Sequence, residues 1–242
     1  MHRVRRLREL WLGVPQPCRI AVAAVVLVVA DHLYDQAGDS FVPGGPLDET
    51  AHIATAWLIL QALPQWVRDR FFWPAIVGSF AIDVDHVPGA LGYGFFTIGT
   101  PRPYTHSLLT LVALGLAGFL WERRRNLLWG FALGVALHFF RDLAEGDGSG
   151  ISLLWPFSDH AFSYSHTLYL WLMAGVVAVD LLKLVWGSRR PAGRREAELR
   201  IDDAEADLAS RIGGAPPVTL APADPQAIGQ ARRRPSAGGQ AP

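Results

Sequence analysis

The 242-residue chain contains a single cysteine, Cys18, and its formal charges sum to zero. One cysteine excludes an intrachain disulfide framework and a zinc finger built on cysteines. Without an excess of positive charge, no nucleic-acid partner is expected. Any metal ion bound by this protein must therefore be held by histidine, aspartate and glutamate side chains.

Half of the residues are hydrophobic, and they are concentrated in apolar segments. An arginine-rich stretch at 1–19 precedes an apolar run at 20–30. Five further apolar segments of about 15 to 21 residues follow, at 52–66, 71–86, 106–121, 126–142 and 166–186. These lengths approach the roughly 17–25 residues that a transmembrane helix needs. We predict an all-α, polytopic membrane bundle of about six transmembrane helices, with core helices of a soluble domain as the alternative.

Small residues recur inside these segments, where they let membrane helices approach closely. The glycines concerned are Gly115, Gly118, Gly130, Gly134 and Gly175. The first apolar run ends in Val28-Val29-Ala30, a pattern that also suits a cleaved signal peptide. We favour a retained first helix, because Asp31 to Tyr34 would continue it naturally.

Lysine and arginine are segregated along the chain. With six spans and a cytoplasmic N-terminus, the inner segments carry fifteen of them and the outer segments only Arg102 and Arg141. This bias follows the positive-inside rule. We therefore predict a membrane-embedded domain at 1–187, with both termini cytoplasmic. Residues 188–242, rich in Pro, Gly, Ala and Arg, are predicted to form a disordered cytoplasmic tail.

Histidine is segregated in the opposite sense. Seven of the eight histidines, all but His2, fall at the outer side of this topology, several of them next to an aspartate. His138 and Asp142 are four residues apart and would share one helical face. Ionisable groups at membrane depth are costly and usually functional. The candidate metal ligands, all at outer helix ends, are His52, Asp85, His86, His106, His138 and Asp142.

Each motif also has a plainer explanation. The pair His138 and Asp142 could be a buried histidine with its carboxylate partner. The run Asp83–His86 could be a solvated helix C-terminus, and Thr105-His106-Ser107 a helix N-cap. His52, which we expect to open the second helix, could belong to a cap as well.

The order of these motifs is more informative than any one of them. After His52 come Asp83-Val-Asp-His, Thr105-His-Ser-Leu, His138-x-x-x-Asp and the run Leu153–Ser158. Over about residues 48–170 the chain resembles the predicted membrane-bound metal-dependent hydrolases of the YdjM type. The resemblance implies a multi-helix inner-membrane protein with a divalent-metal site and hydrolase activity. The chain departs from the family at 101–104, where Pro-Arg-Pro-Tyr replaces a common His-Arg-Gly.

The chemistry expected from these ligands is metal-assisted hydrolysis, in which the pKa of a bound water falls from about 16 to about 7. Six ligands suit one or two ions, most readily Zn²⁺, with Mn²⁺ or Fe²⁺ as alternatives. Asp83 could bridge two ions, orient a ligand or act as the general base. Arg102 could bind a substrate phosphate. We expect the substrate to be a phosphoester or a lipid-linked molecule at the membrane surface. Membrane lipids are the other expected partners.

Two rival functions remain open. The first is a metal-binding sensor or transporter without catalysis, although transporter sites lie near the bilayer midplane rather than at one edge. The second is a structural membrane protein whose histidines and aspartates only pair with each other. Metal content separates the second rival from the others, and substrate turnover separates a hydrolase from a sensor.

Overall fold

A computed structural model describes residues 13–37, 42–145 and 150–188. Within these ranges it has six helices of 13 to 23 residues: α1 (Gln16–Ala37), α2 (Gly44–Ala62), α3 (Gln65–Ala81), α4 (Leu108–Leu120), α5 (Arg125–Asp142) and α6 (His166–Ser188). Short helical turns lie at Ile82–Asp85, His86–Ala90, Gly94–Phe96, Glu122–Arg124 and Leu143–Glu145. In the described ranges, extended pairing is limited to one isolated bridge between Ile151 and Phe162. The all-helical prediction is confirmed, whereas the predicted tail and His2 lie outside the described residues.

Two of the six helices, α1 and α6, are long and apolar enough to cross a membrane. Their outward surfaces are apolar, as shown by Val25, 61% exposed, and Leu182, 65% exposed. Helix α4 is apolar but shorter, and α3 has only 17 residues. The six-span topology therefore stays a prediction for the other four helices.

Three helix boundaries differ from those expected. Helix α2 begins at Gly44, so His52 lies in its third turn rather than at its start. Pro46 is compatible with this earlier start, because the first turn of a helix has backbone N–H groups without helical partners. Helix α3 ends at Ala81, before the Asp-x-Asp-His motif, and α4 begins at Leu108, two residues after His106. The expectation that these motifs belong to the helices themselves is wrong, since they occupy the adjoining turns.

Helices α3 and α5 pack at glycines. A Cβ atom on Gly134 would lie 2.1 Å from the carbonyl oxygen of Ala75, and one on Gly78 would lie 2.3 Å from that of Phe131. Any side chain at these positions would force the two backbones apart. Gly115 and Gly175, by contrast, have open space at the Cβ position, so the expected role in helix approach is not found there.

Two apolar clusters surround this contact. One joins α1, α2 and α6 around Ile20, Leu58 and Tyr169, whose hydroxyl lies 2.5 Å from Oγ1 of Thr55. The other contains Ile82, Val135, Phe139 and Ile151. Phe139 lies beside the His106 ring, with centroids 5.7 Å apart. The second cluster therefore forms an apolar layer, called the apolar floor below, that packs against the histidines.

Candidate metal centre

Side chains from four structural elements meet at one polar cluster. Helix α5 contributes His138 and Asp142, and α2 contributes His52. The turns after α3 contribute Asp83, Asp85 and His86, and the loop before α4 contributes His106. The structure thus brings together all six sequence-predicted ligands and Asp83, in overlapping groups that could hold a metal ion.

Four donor atoms of this cluster have the spacing of a coordination shell. Nε2 of His106 lies 3.1 Å from Nε2 of His138, 3.2 Å from Oδ1 of Asp83 and 3.6 Å from Oδ2 of Asp142. Nε2 of His138 lies 3.3 Å from the same Asp83 oxygen and 3.1 Å from the same Asp142 oxygen. Donors bound tetrahedrally to zinc at about 2.0–2.1 Å are separated by about 3.3–3.4 Å. Five of the six distances among these four atoms are therefore close to those between donors around a shared ion.

Several buried atoms in the cluster also lack hydrogen bonds. Neither carboxylate oxygen of Asp142 has a partner with hydrogen-bond geometry, and the same holds for both oxygens of Asp85. Nε2 of His86 and Nδ1 of His106 are unpaired as well. Buried polar atoms without partners are costly. A cation among them would satisfy the carboxylate oxygens and the lone pair of His86, while Nδ1 of His106 would carry its proton toward Asp85, 3.4 Å away. This supports the fit of a metal ion.

The orientation of His138 is set by the neighbouring helix. Its Nδ1 lies 3.0 Å from the backbone carbonyl oxygen of Ser79, to which it can only donate. With the proton on Nδ1, Nε2 carries the lone pair of the ring, and this lone pair faces the cluster. A backbone carbonyl that fixes the tautomer in this way is typical of metal-binding histidines.

His52 provides a second group of donors. Its Nε2 lies 3.1 Å from Oδ1 of Asp142 and 3.6 Å from Oδ1 of Asp48, and its ring stacks on His138 with centroids 3.9 Å apart. Asp48, His52 and Asp83 form a further group of convergent donors. Asp83 and Asp142 therefore each adjoin two sets of ligands, as carboxylates between two ions would.

The remaining donors line the accessible side of the cluster. Nε2 of His86 lies 3.5 Å from Asp83 and 3.9 Å from Asp85, and Nδ1 of His106 lies 3.4 Å from Asp85. The side chain of His86 is 36% exposed, whereas those of His106, His138 and Asp142 are fully buried. Of these four side chains, His86 is therefore the one that is accessible to solvent.

Arg102 lies next to the donors. Its Nη2 is 4.0 Å from Oδ1 of Asp142, and its side chain is largely buried. The positive group singled out from the sequence thus lies beside a carboxylate of the donor cluster.

Residues 47–198 match the family model of the YdjM inner membrane protein. The chain belongs to the YdjM inner membrane protein family. The match includes all of the donors described above, and it makes the protein a membrane protein of the inner membrane. No curated protein and no solved structure matches the chain.

This YdjM family member has a buried arginine that the sequence argument missed. Arg141 donates to Oδ1 of Asp48 at 2.5 Å and to Oδ1 of Asp31 at 2.7 Å, and it lies 3.4 Å from Nε2 of His52. It thereby joins α5 to α1 and α2. Two signals were available: an arginine beside Asp142 in an apolar helix, and the four-residue spacing of Asp48 and His52, which repeats that of His138 and Asp142.

Glu49 was missed as well. Burial, together with the nearby charge of Asp83, raises the pKa of its carboxyl from 4.5 to about 8. Its Oε2 is buried without a hydrogen-bond partner. A carboxyl beside a carboxylate marks a place for a shared proton or cation.

Three outer-side histidines are not part of the donor cluster. His32 is exposed and bonds to Gln36, and His160 packs edge-on against Phe162. His166 lies 3.9 Å from Asp31. Clustering at the outer helix ends therefore did not by itself identify a ligand.

Proposed function

We propose that this YdjM family protein is a metal-dependent hydrolase that acts on a phosphoester or a lipid-linked phosphate at the membrane surface. The observation that carries the proposal is the spacing of 3.1 to 3.6 Å among donors of Asp83, His106, His138 and Asp142. The two Nε2 atoms face each other as well as the carboxylates, and a shared cation would let both imidazoles act as neutral donors.

Asp83, His106, His138 and Asp142 would hold one ion. His52 with Asp48, or His86 with Asp85, would contribute to a second. Mixed imidazole and carboxylate donors suit Zn²⁺ first, with Mn²⁺ and Fe²⁺ as alternatives. When bound, the metal would supply Lewis acidity and a water of lowered pKa.

The other roles are assigned to residues of the chain itself. Arg102 would bind a phosphate oxygen through its guanidinium group, which suits bidentate contact with phosphate. Asp83 would accept a proton from the attacking water or hold a ligand in place. The apolar floor formed by Val135 and Phe139 would keep water away from the inner side of the donors.

A substrate at the lipid boundary is supported by the two apolar helices. The last turns of α1 contain Asp31, which bonds to Arg141 beside the donors, and α6 begins at His166, close to Asp31. Both candidate membrane helices therefore have one end next to the cluster. The charge bias along the sequence assigns this end to the outer face of the membrane.

A metal-binding sensor or transporter without catalysis is the alternative from another class. It would require the same donors but no phosphoester turnover. Turnover measured on metal-loaded protein therefore distinguishes the two functions.

The test is metal content followed by activity. Elemental mass spectrometry of the detergent-purified protein should find one or two equivalents of metal, which drop to background in His138→Ala/Asp142→Ala. His160→Ala is the matched control, because it removes an outer histidine outside the cluster and should retain the metal. Background metal in the wild type, even after zinc or manganese is offered, would overturn the proposal. Stoichiometric metal without phosphoester turnover would favour the sensor.

A further inference from the structure

A groove of about 800 Å³ runs between α1, α2 and α3, away from the donor cluster. Its middle is apolar and includes Val22, Val26 and Ile53. Trp73 also lines it and is 66% exposed. Helix α1 is apolar enough to cross a membrane, and in that position the open side of the groove would face lipid.

The length of the groove matches one leaflet. Along α1 its lining residues run from Gln16 to Val26, and ten residues of helix rise about 15 Å. The hydrocarbon core of a bilayer is about 30 Å thick, so the groove spans about half of it.

The apolar lining of the groove suits a flexible hydrocarbon chain. The basic side chains at one end favour an occupant with an anionic headgroup over an apolar partner helix.

One end of the groove is positively charged. Arg19 and Arg68 both line it there, on the side of the chain where lysine and arginine are concentrated. Nε of Arg19 is buried without a hydrogen-bond partner, and Nη1 of Arg68 donates to Gln61 at 3.3 Å. Asp69 lines the same end but is exposed.

Helix α6 adds two further charges near this end. Asp180 is attracted to both Lys183 and Arg68. Counting Asp69 and Asp180 against Arg19, Arg68 and Lys183 leaves one positive charge in excess. A single phosphate would balance it.

We propose that this groove binds an anionic glycerophospholipid of the cytoplasmic leaflet, with one acyl chain between α1, α2 and α3 and the phosphate beside Arg19 and Arg68. Anionic lipids are enriched in that leaflet and are attracted to basic residues at its surface. The site is separate from the metal centre, so it does not depend on the proposed hydrolase activity.

Native mass spectrometry of the full-length protein in detergent tests this site. The probes are phosphatidylglycerol and phosphatidylcholine, offered in equal amounts. The wild type should retain one phosphatidylglycerol in preference to phosphatidylcholine. Arg19→Ala/Arg68→Ala should reduce that preference by about fivefold for each charge removed. The control Arg123→Ala/Arg124→Ala removes two exposed charges between α4 and α5 and should leave the preference unchanged.

A second pair of variants tests the chain-binding part and remains decisive if the arginine variant fails to fold. Val22→Trp fills the groove and should abolish retention of the lipid. Val25→Trp, on the exposed surface of the same helix and outside the groove, should not. Metal content should match the wild type in every sample.

Three results would overturn the proposal. They are equal retention of the two lipids by the wild type, an unchanged preference in Arg19→Ala/Arg68→Ala, or equal retention by Val22→Trp and Val25→Trp.

Discussion

His138 of α5 donates a hydrogen bond from Nδ1 to the backbone carbonyl oxygen of Ser79 in α3, 3.0 Å away. This bond requires the two helices to be in close contact, and the contact is made at Gly78 and Gly134, one residue before Ser79 and one turn before His138. The packing of two helices at glycines therefore determines which nitrogen of a candidate ligand faces the metal centre.

Gly134→Ala should weaken metal binding without altering a ligand. Its Cβ would lie 2.1 Å from the Ala75 carbonyl oxygen, so the helices must separate and the bond from His138 to Ser79 must lengthen. Loss of such an orienting bond typically lowers metal affinity by about 10–100-fold. The zinc affinity is measured by titrating chelator-stripped protein with zinc. Gly115→Ala, where the added Cβ meets open space, should bind zinc like the wild type. An equal loss of zinc affinity in both variants would contradict a role for the glycine contact.

Arg141→Gln should destabilise the fold strongly. It leaves the buried carboxylates of Asp31 and Asp48 without their shared cation, and removal of one partner from a buried ion pair costs about 3–5 kcal/mol. The free energy of unfolding in detergent, measured with denaturant, checks this. The comparison is Arg125→Gln, whose partner Glu122 is exposed and whose loss should cost at most about 1 kcal/mol. A similarly small decrease in the free energy of unfolding for both variants would show that the ion pairs of Arg141 do not stabilise the fold.

Glu49→Gln should flatten the pH dependence of stability in chelator-stripped protein. The pKa of Glu49 rises from 4.5 to about 8 on folding, so the folded chain binds more protons than the unfolded chain between these values. Stability should therefore fall as pH is raised from about 5 to about 8. Thermal midpoints of wild type and variant, measured across this range, give the difference. Glu122→Gln, at an exposed site, should retain the wild-type slope, and an identical slope in Glu49→Gln would refute the assignment.

Arg102→Ala should weaken phosphate binding while metal content stays constant. Hydrogen bonds to charged groups contribute about 1.5–3 kcal/mol, so affinity for inorganic phosphate should fall by about tenfold or more. Calorimetric titration of the zinc-loaded protein measures the affinity. Arg102→Lys retains the charge but not the paired donors and should give an intermediate value. Unchanged phosphate affinity in Arg102→Ala would remove Arg102 from the substrate site.

The donors could be predicted from the sequence because helical periodicity alone aligns some of them. His138 and Asp142 share a helical face at a spacing of four residues, and they do adjoin in the structure. Asp83 and Asp85, two residues apart, would not share one face of an α-helix. They converge because the chain after Ala81 continues as a tighter 3₁₀ turn, which changes the direction of successive side chains.

Which groups pair with each other could not be read from local patterns. The carbonyl of Ser79 is a backbone group, and its role depends on where α5 packs. The partners of Arg141 lie 110 and 93 residues earlier in the chain. Long-range contacts of this kind follow from the tertiary arrangement of helices, which a pattern of apolar segments does not specify.

The bonds from Arg141 to Asp31 and Asp48 also bear on the biosynthesis of the protein. Asp31 and Asp48 leave the ribosome long before Arg141, and charged side chains are unfavourable in a bilayer without partners. Until α5 is made, Asp31 and Asp48 therefore lack their shared cation, and α1 and α2 gain this partner only with α5. His138 and Asp142 are on the same helix, so the candidate metal centre is also incomplete until that point.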